Sequence, residues 1–214
     1  MEFRFTPPIQ ESDVRKLKIG DQVYIDGVIY SWRDRAFERA FKLMNQKESL
    51  PVNLQGSVHW HCGPIIKKIQ EKWSVASAGS TTSTRFTSAE AKIIKKWGIR
   101  LIIGKGGMGK LAIEAMKEYG TVYLAAVGGS AAFYAKKIRK IKEVYWLDLG
   151  MPEAIWVYEV EAFGPMLVAI DSHGNSLYEQ RKKTIYRNLK QQYKKMNIDP
   201  KYPYYWGGGV DFNL

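Results

Sequence analysis

The stretch Leu101-Ile102-Ile103-Gly104-Lys105-Gly106-Gly107-Met108-Gly109-Lys110 constrains this chain more than any other. An apolar run stops abruptly in glycines, and Leu111, Ala112, Ala115, Met116 and Tyr119 then recur at helical spacing. Strand, glycine loop and helix in this order make an anion site. Glycines let the backbone come close, and a helix start offers unpaired N–H groups and the positive end of its dipole. Lys105 adds a full charge inside the loop. Two nucleotide-binding patterns nearly fit. Gly104-x-x-x-x-Gly109-Lys110 has Leu111 where a Ser or Thr must hold magnesium. Gly104-x-Gly106-x-x-Gly109 is followed by a strand, Thr121 to Val127, that ends in Gly128-Gly129 instead of an acid for the ribose. Four glycines and a lysine also exceed what a bare turn needs, so the stretch reads as an anion site of another kind.

With 45% hydrophobic and 25% charged residues in 214, the chain can bury a sizeable core. No apolar run reaches the ~18 residues of a membrane span. Met1 to Phe5 has neither the basic start nor the apolar core of a secretory leader. The single cysteine, Cys62, excludes an internal disulfide and fits a reducing cytoplasm, the expected location. The formal net charge of +12 calls for an acidic partner: nucleic acid, an acidic protein or a carboxylate substrate.

Residues 1–20 read as a lead-in arm. Val23 and Ile25 before Asp26-Gly27, with Val28 and Tyr30 after it, predict a hairpin. Arg33-Asp34-Arg35 then opens a helix whose apolar face is Ala36, Phe37, Ala40, Phe41, Leu43 and Met44. Ser57 to Cys62 is a predicted strand with His59 and His61 on one face. Two histidines could bind a metal, but no third ligand stands nearby, and packing or hydrogen bonding is the plainer role. Cys62 reads as a buried small residue. Thr87 with Glu90 predicts a capping box that starts a helix running to about Trp97.

A second strand–glycine–helix unit follows at Thr121 to about Lys142. Further strands are predicted at Val144 to Leu149, Ala154 to Val160 and Pro165 to Ile170, before a turn at Asp171 to Gly174. Alternating strands and helices give an α/β class. Residues 181–203 carry eight Lys or Arg and one Asp, with Ile185, Leu189 and Tyr193 as a narrow helical stripe. This predicts a basic helical extension, 181–214, ending in Tyr202 to Gly209, an aromatic segment that could dock in a partner's groove.

The other informative stretch is Ala78-Gly79-Ser80-Thr81-Thr82-Ser83-Thr84-Arg85. It can be a plain hydroxyl-rich loop, or a set of donors with a guanidinium suited to gripping a carboxylate by two parallel hydrogen bonds. It lies one helix and one strand before Lys105, so both can face one pocket.

Taken in order and spacing, several of these residues resemble the beta subunit of class I fumarate hydratase and L(+)-tartrate dehydratase, the iron–sulfur hydro-lyases. They are Gly20-Asp21-x-Val23 with Gly27, Arg33-Asp34, Gly63-Pro64, Thr81 to Arg85, Gly104 to Met108, Ala126 to Gly129 and Asp148 to Met151. The resemblance implies a swivelling β/β/α domain over residues 21–180. It implies reversible water addition across the double bond of a dicarboxylate, fumarate to (S)-malate or the tartrate equivalent. It implies a partner alpha subunit, in a heterodimer or heterotetramer, that carries a [4Fe–4S] cluster on three cysteines. The family's substrate-binding residues fall on Arg33, Arg85 and Lys105, with Gly104 and Gly106 beside them, and its proposed catalytic base falls on Thr81. No metal is expected on this chain, and neither a membrane nor a nucleic acid is expected as partner. Phe37 stands where the family usually has histidine, His61-Cys62 replaces a Tyr-Ala type pair, and Ser80 replaces a proline. The alternative of another class is a basic module binding RNA or a phosphorylated ligand, which steep salt dependence would reveal.

Overall fold

The structure, a computed structural model, describes residues 1–199 apart from Glu71. The predicted aromatic segment Tyr202 to Gly209 lies outside the described residues. Chain contacts divide the molecule into a unit from Met1 to Leu177 and a second beginning at Tyr178.

The first unit is mixed α/β. Its strands are β1 (Glu2–Phe5), β2 (Gln22–Ser31), β3 (Val58–Trp60), β4 (Ile65–Ile69), β5 (Lys72–Ser77), β6 (Leu101–Gly104), β7 (Val122–Ala125), β8 (Ile138–Tyr145) and β9 (Ile155–Ile170). Its helices are α1 (Glu11–Val14), α2 (Asp34–Gln46), α3 (Thr87–Trp97), α4 (Lys110–Tyr119) and α5 (Ala131–Lys137). The main sheet has the order β1-β2-β3-β6-β7-β9-β8 and closes on itself, because β9 also pairs with β2. Strands β1, β2, β3, β6 and β7 run parallel, and β9 is antiparallel to β2, β7 and β8. β4 and β5 form a separate hairpin. Trp60, Trp156, Tyr158, Phe163 and the aliphatic residues of β2, β6 and β7 fill the core.

The run of parallel strands puts the carboxyl ends of β2, β3, β6 and β7 at one edge, where open α/β sheets bind ligands. Strand β6 is buried along its whole length, which is why it reads as an unbroken apolar run. Helix α4 buries Ala112, Ala115 and Met116, the predicted stripe, while Leu111 is exposed.

Several elements differ from their sequence signals. Asp26-Gly27 does not turn the chain. β2 runs straight through it as one strand, with Gly27 at φ +88° and register shifts against β9. This is a bulge, built from the same left-handed glycine chemistry as a hairpin. The Asp26 carboxylate accepts from the Arg4 guanidinium and from the Ala162 N–H. Residues 1–20, read as an arm, contribute β1 and the buried side chains Ile9, Val14 and Leu17. Helix α5 stops at Lys137, not near Lys142, and the chain continues as β8, drawn into the sheet by pairing with β9. Residues Leu147–Leu149 form a 3-10 turn instead of a strand end. The two predicted last strands are one bent strand, β9. In the second unit the basic run forms α6 (Leu177–Lys195). No helix among the described residues is long and apolar enough to cross a membrane.

Candidate active site

The hydroxyl loop is tied between the ends of β3 and β6. Cys62 bridges Ser80, the Thr81 N–H donates to the His61 carbonyl at 2.8 Å, and Thr82 bridges Lys105. The Lys105 N–H donates to the Thr81 carbonyl at 3.3 Å, and the Ser83 N–H to the Lys105 carbonyl at 2.8 Å. The loop is therefore a short extra strand beside the glycine loop, and it brings Thr81 and Lys105 together as the sequence suggested. Gly106 turns the loop at φ +84°, a conformation that favours glycine. Ser80 accepts the Trp60 indole N–H at 2.7 Å.

Arg85 sits in the 3-10 turn Thr84–Phe86, with its guanidinium carbon 4.4 Å from the Phe86 ring centre. Its Nε and Nη2 donate to the two oxygens of Asp34 at 3.1 Å each, and its Nη1 donates to Thr81 Oγ1 at 3.1 Å. The predicted fork is real, but it grips Asp34, an internal carboxylate. Burial pushes the Asp34 carboxyl up; the Arg85 guanidinium hydrogen-bonded to it outweighs this and holds it below the ordinary carboxylate range.

Arg33 immediately precedes α2. Its Nη2 pairs with Glu153 at 2.9 Å, and its buried Nε, 3.8 Å from Asp34, has no hydrogen-bond partner among the described residues. The side chain lies over Gly63, where a Cβ would come within 2.6 Å of Nη1. Only a glycine after Cys62 leaves room for this arginine. Lys105, half-buried, makes no ion pair among the described residues. Asp34 and Glu153 are each paired with an arginine, and Lys105, just past the end of β6, adds a positive charge with no ion pair among the described residues. Such a surface attracts an anion.

Behind this surface lies a polar chain that the sequence did not reveal. His59 Nδ1 and His61 Nε2 meet one oxygen of Glu90 at 2.5 and 2.8 Å, and His61 Nδ1 lies 2.8 Å from Ser83 Oγ. The Tyr123 hydroxyl donates to Ser83 Oγ at 3.0 Å. All five side chains are buried. Burial pushes the His61 imidazole down to about 4, so it is neutral at pH 7. Burial alone would raise Glu90, but the two imidazoles beside it hold it down to about 2. A consistent donor order follows: Tyr123 O–H to Ser83, Ser83 O–H to His61 Nδ1, His61 Nε2–H to Glu90.

Glu90 is the third group that the strand pattern lacked. His59, His61 and Glu90 form a ligand-type set within 4.8 Å, and their separations are those of hydrogen bonds. The predicted capping box does not form, because Glu90 points into the core. Thr87 instead donates to the Thr84 carbonyl at 2.7 Å and accepts the Gly109 N–H at 2.9 Å. Phe37 packs against Trp32, His59 and Phe86. Gly104 seals the contact between site and core: a Cβ there would stand 1.8 Å from Ser83 Oγ. Cys62 is buried, which pushes its thiol far up and leaves it unreactive.

Residues 3–181 match the family model described as "Fumarase C-terminus". The chain belongs to this fumarase family. It is 46% identical over 192 residues to a protein of Methanocaldococcus jannaschii provisionally named an L(+)-tartrate dehydratase subunit beta, covering 89% of this chain and 98% of that one. It is 39% identical over 178 residues to the L(+)-tartrate dehydratase subunit beta of Escherichia coli (strain K12), covering 83% and 87%. A provisionally named class I fumarate hydratase of Geobacillus stearothermophilus is 43% identical over 185 residues, covering 86% of this chain but 35% of that longer one. These relatives are hydratase and dehydratase chains, and the fumarase-family chain described here is of their enzyme class.

Proposed function

We propose that this chain is the beta subunit of a class I hydro-lyase that hydrates fumarate reversibly to (S)-malate. The observation that carries this reading is the convergence of Arg33, Arg85, Thr81 and Lys105 at one strand edge of a fumarase-family domain. The tartrate reaction is the second reading, favoured by the names of the two full-length relatives. On either reading the unit from Met1 to Leu177 is the swivelling β/β/α domain, and residues 181–214 extend the chain beyond it.

Water addition places a hydroxyl on one alkene carbon and a proton on the other. On this chain Lys105, Arg33 and Arg85 bind substrate carboxylates, with the backbone at Gly104 and Gly106 allowing close approach. Thr81 moves the carbon-bound proton. A hydroxyl is a weak base, and the Arg85 N–H donated to Thr81 Oγ1 favours its ionised form. With both arginines already paired to Glu153 and Asp34, the cations of this chain do not balance a dianion, so the site is half of a larger one.

The cluster that the family resemblance implies supplies an open iron as Lewis acid. It does not fit this chain, which has one cysteine, and that one is buried. The cluster and the remaining half of the site belong to an alpha subunit, the counterpart of the extra length in the Geobacillus relative. A reducing cytoplasm suits such a partnership.

The test is an anaerobic assay of the chain co-purified with a cluster-bearing alpha subunit, on fumarate and on L(+)-tartrate. Turnover of fumarate supports the leading reading and turnover of tartrate alone selects the second. A cluster-loaded pair inert on both overturns the proposal.

A further inference from the structure

A guanidinium carries five N–H groups. In Arg85, Nε and Nη2 each give one to Asp34, and Nη1 gives its two to Thr81 Oγ1 at 3.1 Å and the Thr82 carbonyl at 3.4 Å. One N–H, on Nη2, is left over. The side that would grip a substrate carboxylate by two parallel bonds is filled by Asp34.

The Asp34–Arg85 pair is exposed, at 45% and 40%. Ion pairs this open to water add little to stability. The two residues are 51 apart in sequence and lie on different elements, the first turn of α2 and the 3-10 turn. Their meeting therefore calls for an explanation other than folding.

We propose that Asp34 is a positioning residue for the proton transfer at Thr81. Its carboxylate holds the guanidinium so that Nη1 faces Thr81 Oγ1. The hydroxyl oxygen then accepts from a cation, and its own proton is free to point toward the substrate. Without Asp34 the guanidinium can turn its fork to a substrate carboxylate, the tighter geometry for that group. Asp34 thus commits Nε and one N–H of Nη2, holds Nη1 on the hydroxyl, and leaves the last Nη2 N–H for substrate. This rests on the proposed function, in which Thr81 moves the proton.

The test uses the cluster-loaded pair with wild-type chain, Asp34→Ala and Arg85→Ala. For Asp34→Ala, kcat is expected to fall about 100-fold, the scale of a lost acid–base contribution, while KM stays level or falls. Added formate, a small carboxylate that can refill the vacated fork, restores kcat in Asp34→Ala and does nothing for Arg85→Ala. A kcat kept within about threefold of wild type, or a loss that formate does not repair, overturns the proposal. An inactive wild-type pair overturns the proposed function instead. In that case the Arg85 side-chain N–H signals of the full-length chain, labelled with nitrogen-15, decide. Separate Nη signals in the wild type that average together in Asp34→Asn are expected, and signals already averaged in the wild type sink the idea.

Discussion

Thr81 and Ser83 are two residues apart and work in opposite surroundings. Thr81 faces the charged surface, where its hydroxyl oxygen meets the Arg85 guanidinium. Ser83 is buried and joins Tyr123 to His61. On an extended segment residues two apart would share a face, but Ser83 has helical backbone, φ −85° and ψ −24°, where the 3-10 turn begins, so one hydroxyl-rich stretch serves both regions. The physics of the two differs. At the surface, water and salt weaken every pair, and the cations there are free to exchange one carboxylate for another. In the core the Glu90 charge has no water, and removing any partner leaves a desolvated group unpaired. The contrast separates residues available for chemistry from residues that hold them in place.

The largest effect expected is in the core. Glu90→Ala removes the acceptor shared by His59 and His61 and should cost about 3–5 kcal/mol in urea unfolding of the chain. A cost below about 1 kcal/mol would mean that the buried network carries no weight. At the surface, Arg85→Lys should lower turnover of the assembled enzyme about 100-fold, because an ammonium cannot reach Asp34 and Thr81 together. Its melting temperature should not move, and a matching loss of stability would erase the distinction between the regions.

Gly104→Ala touches both regions, since the new methyl would overlap Ser83 Oγ. About 1–3 kcal/mol of stability should be lost, with turnover falling as the Thr81–Lys105 ladder shifts. Unchanged stability would show that Ser83 can move at no cost.

Acid gives the most gradual effect, and the smallest within any one pH unit. The folded values of His61 and Glu90 lie below the ordinary 6.5 and 4.5, at about 4 and about 2. The unfolded chain therefore binds more protons, and these contributions are complete above pH 6.5. They are lost from pH 6.5 to 4 through His61 and from 4.5 to 2 through Glu90, at up to about 1.4 kcal/mol per pH unit for each proton. Unfolding free energies measured across this range should fall steadily with acid, and a flat profile would argue that His61 is already charged in the fold.

How much of this was legible in the sequence differs between the two regions as well. The two surface loops were legible because their residues answer to local rules. Gly106 supplies a left-handed backbone, β6 is uniformly apolar, Arg33 and Lys105 follow strand ends, and Arg85 closes the hydroxyl-rich stretch. The core network was not, because it depends on which elements pack together. Thr87 and Glu90 have the spacing of a capping box, and only the arrival of β3 draws Glu90 inward to the two histidines. Asp26-Gly27 carries the signal of a turn, and only the pairing of β2 with β9 makes it a bulge. The fork of Arg85 was foreseen, while its occupant, Asp34, comes from a distant helix start that spacing does not connect to it.

Lys105→Ala in the cluster-loaded pair tests most directly whether the surface cations serve an anion and not the fold. Turnover and melting temperature would be measured on the same preparations as wild type. Turnover reduced by about 100-fold or more, with melting and assembly unchanged, is the result predicted. A pair that fails to assemble, or that melts early while each remaining molecule turns over normally, would contradict it and make the glycine loop a structural or interface feature.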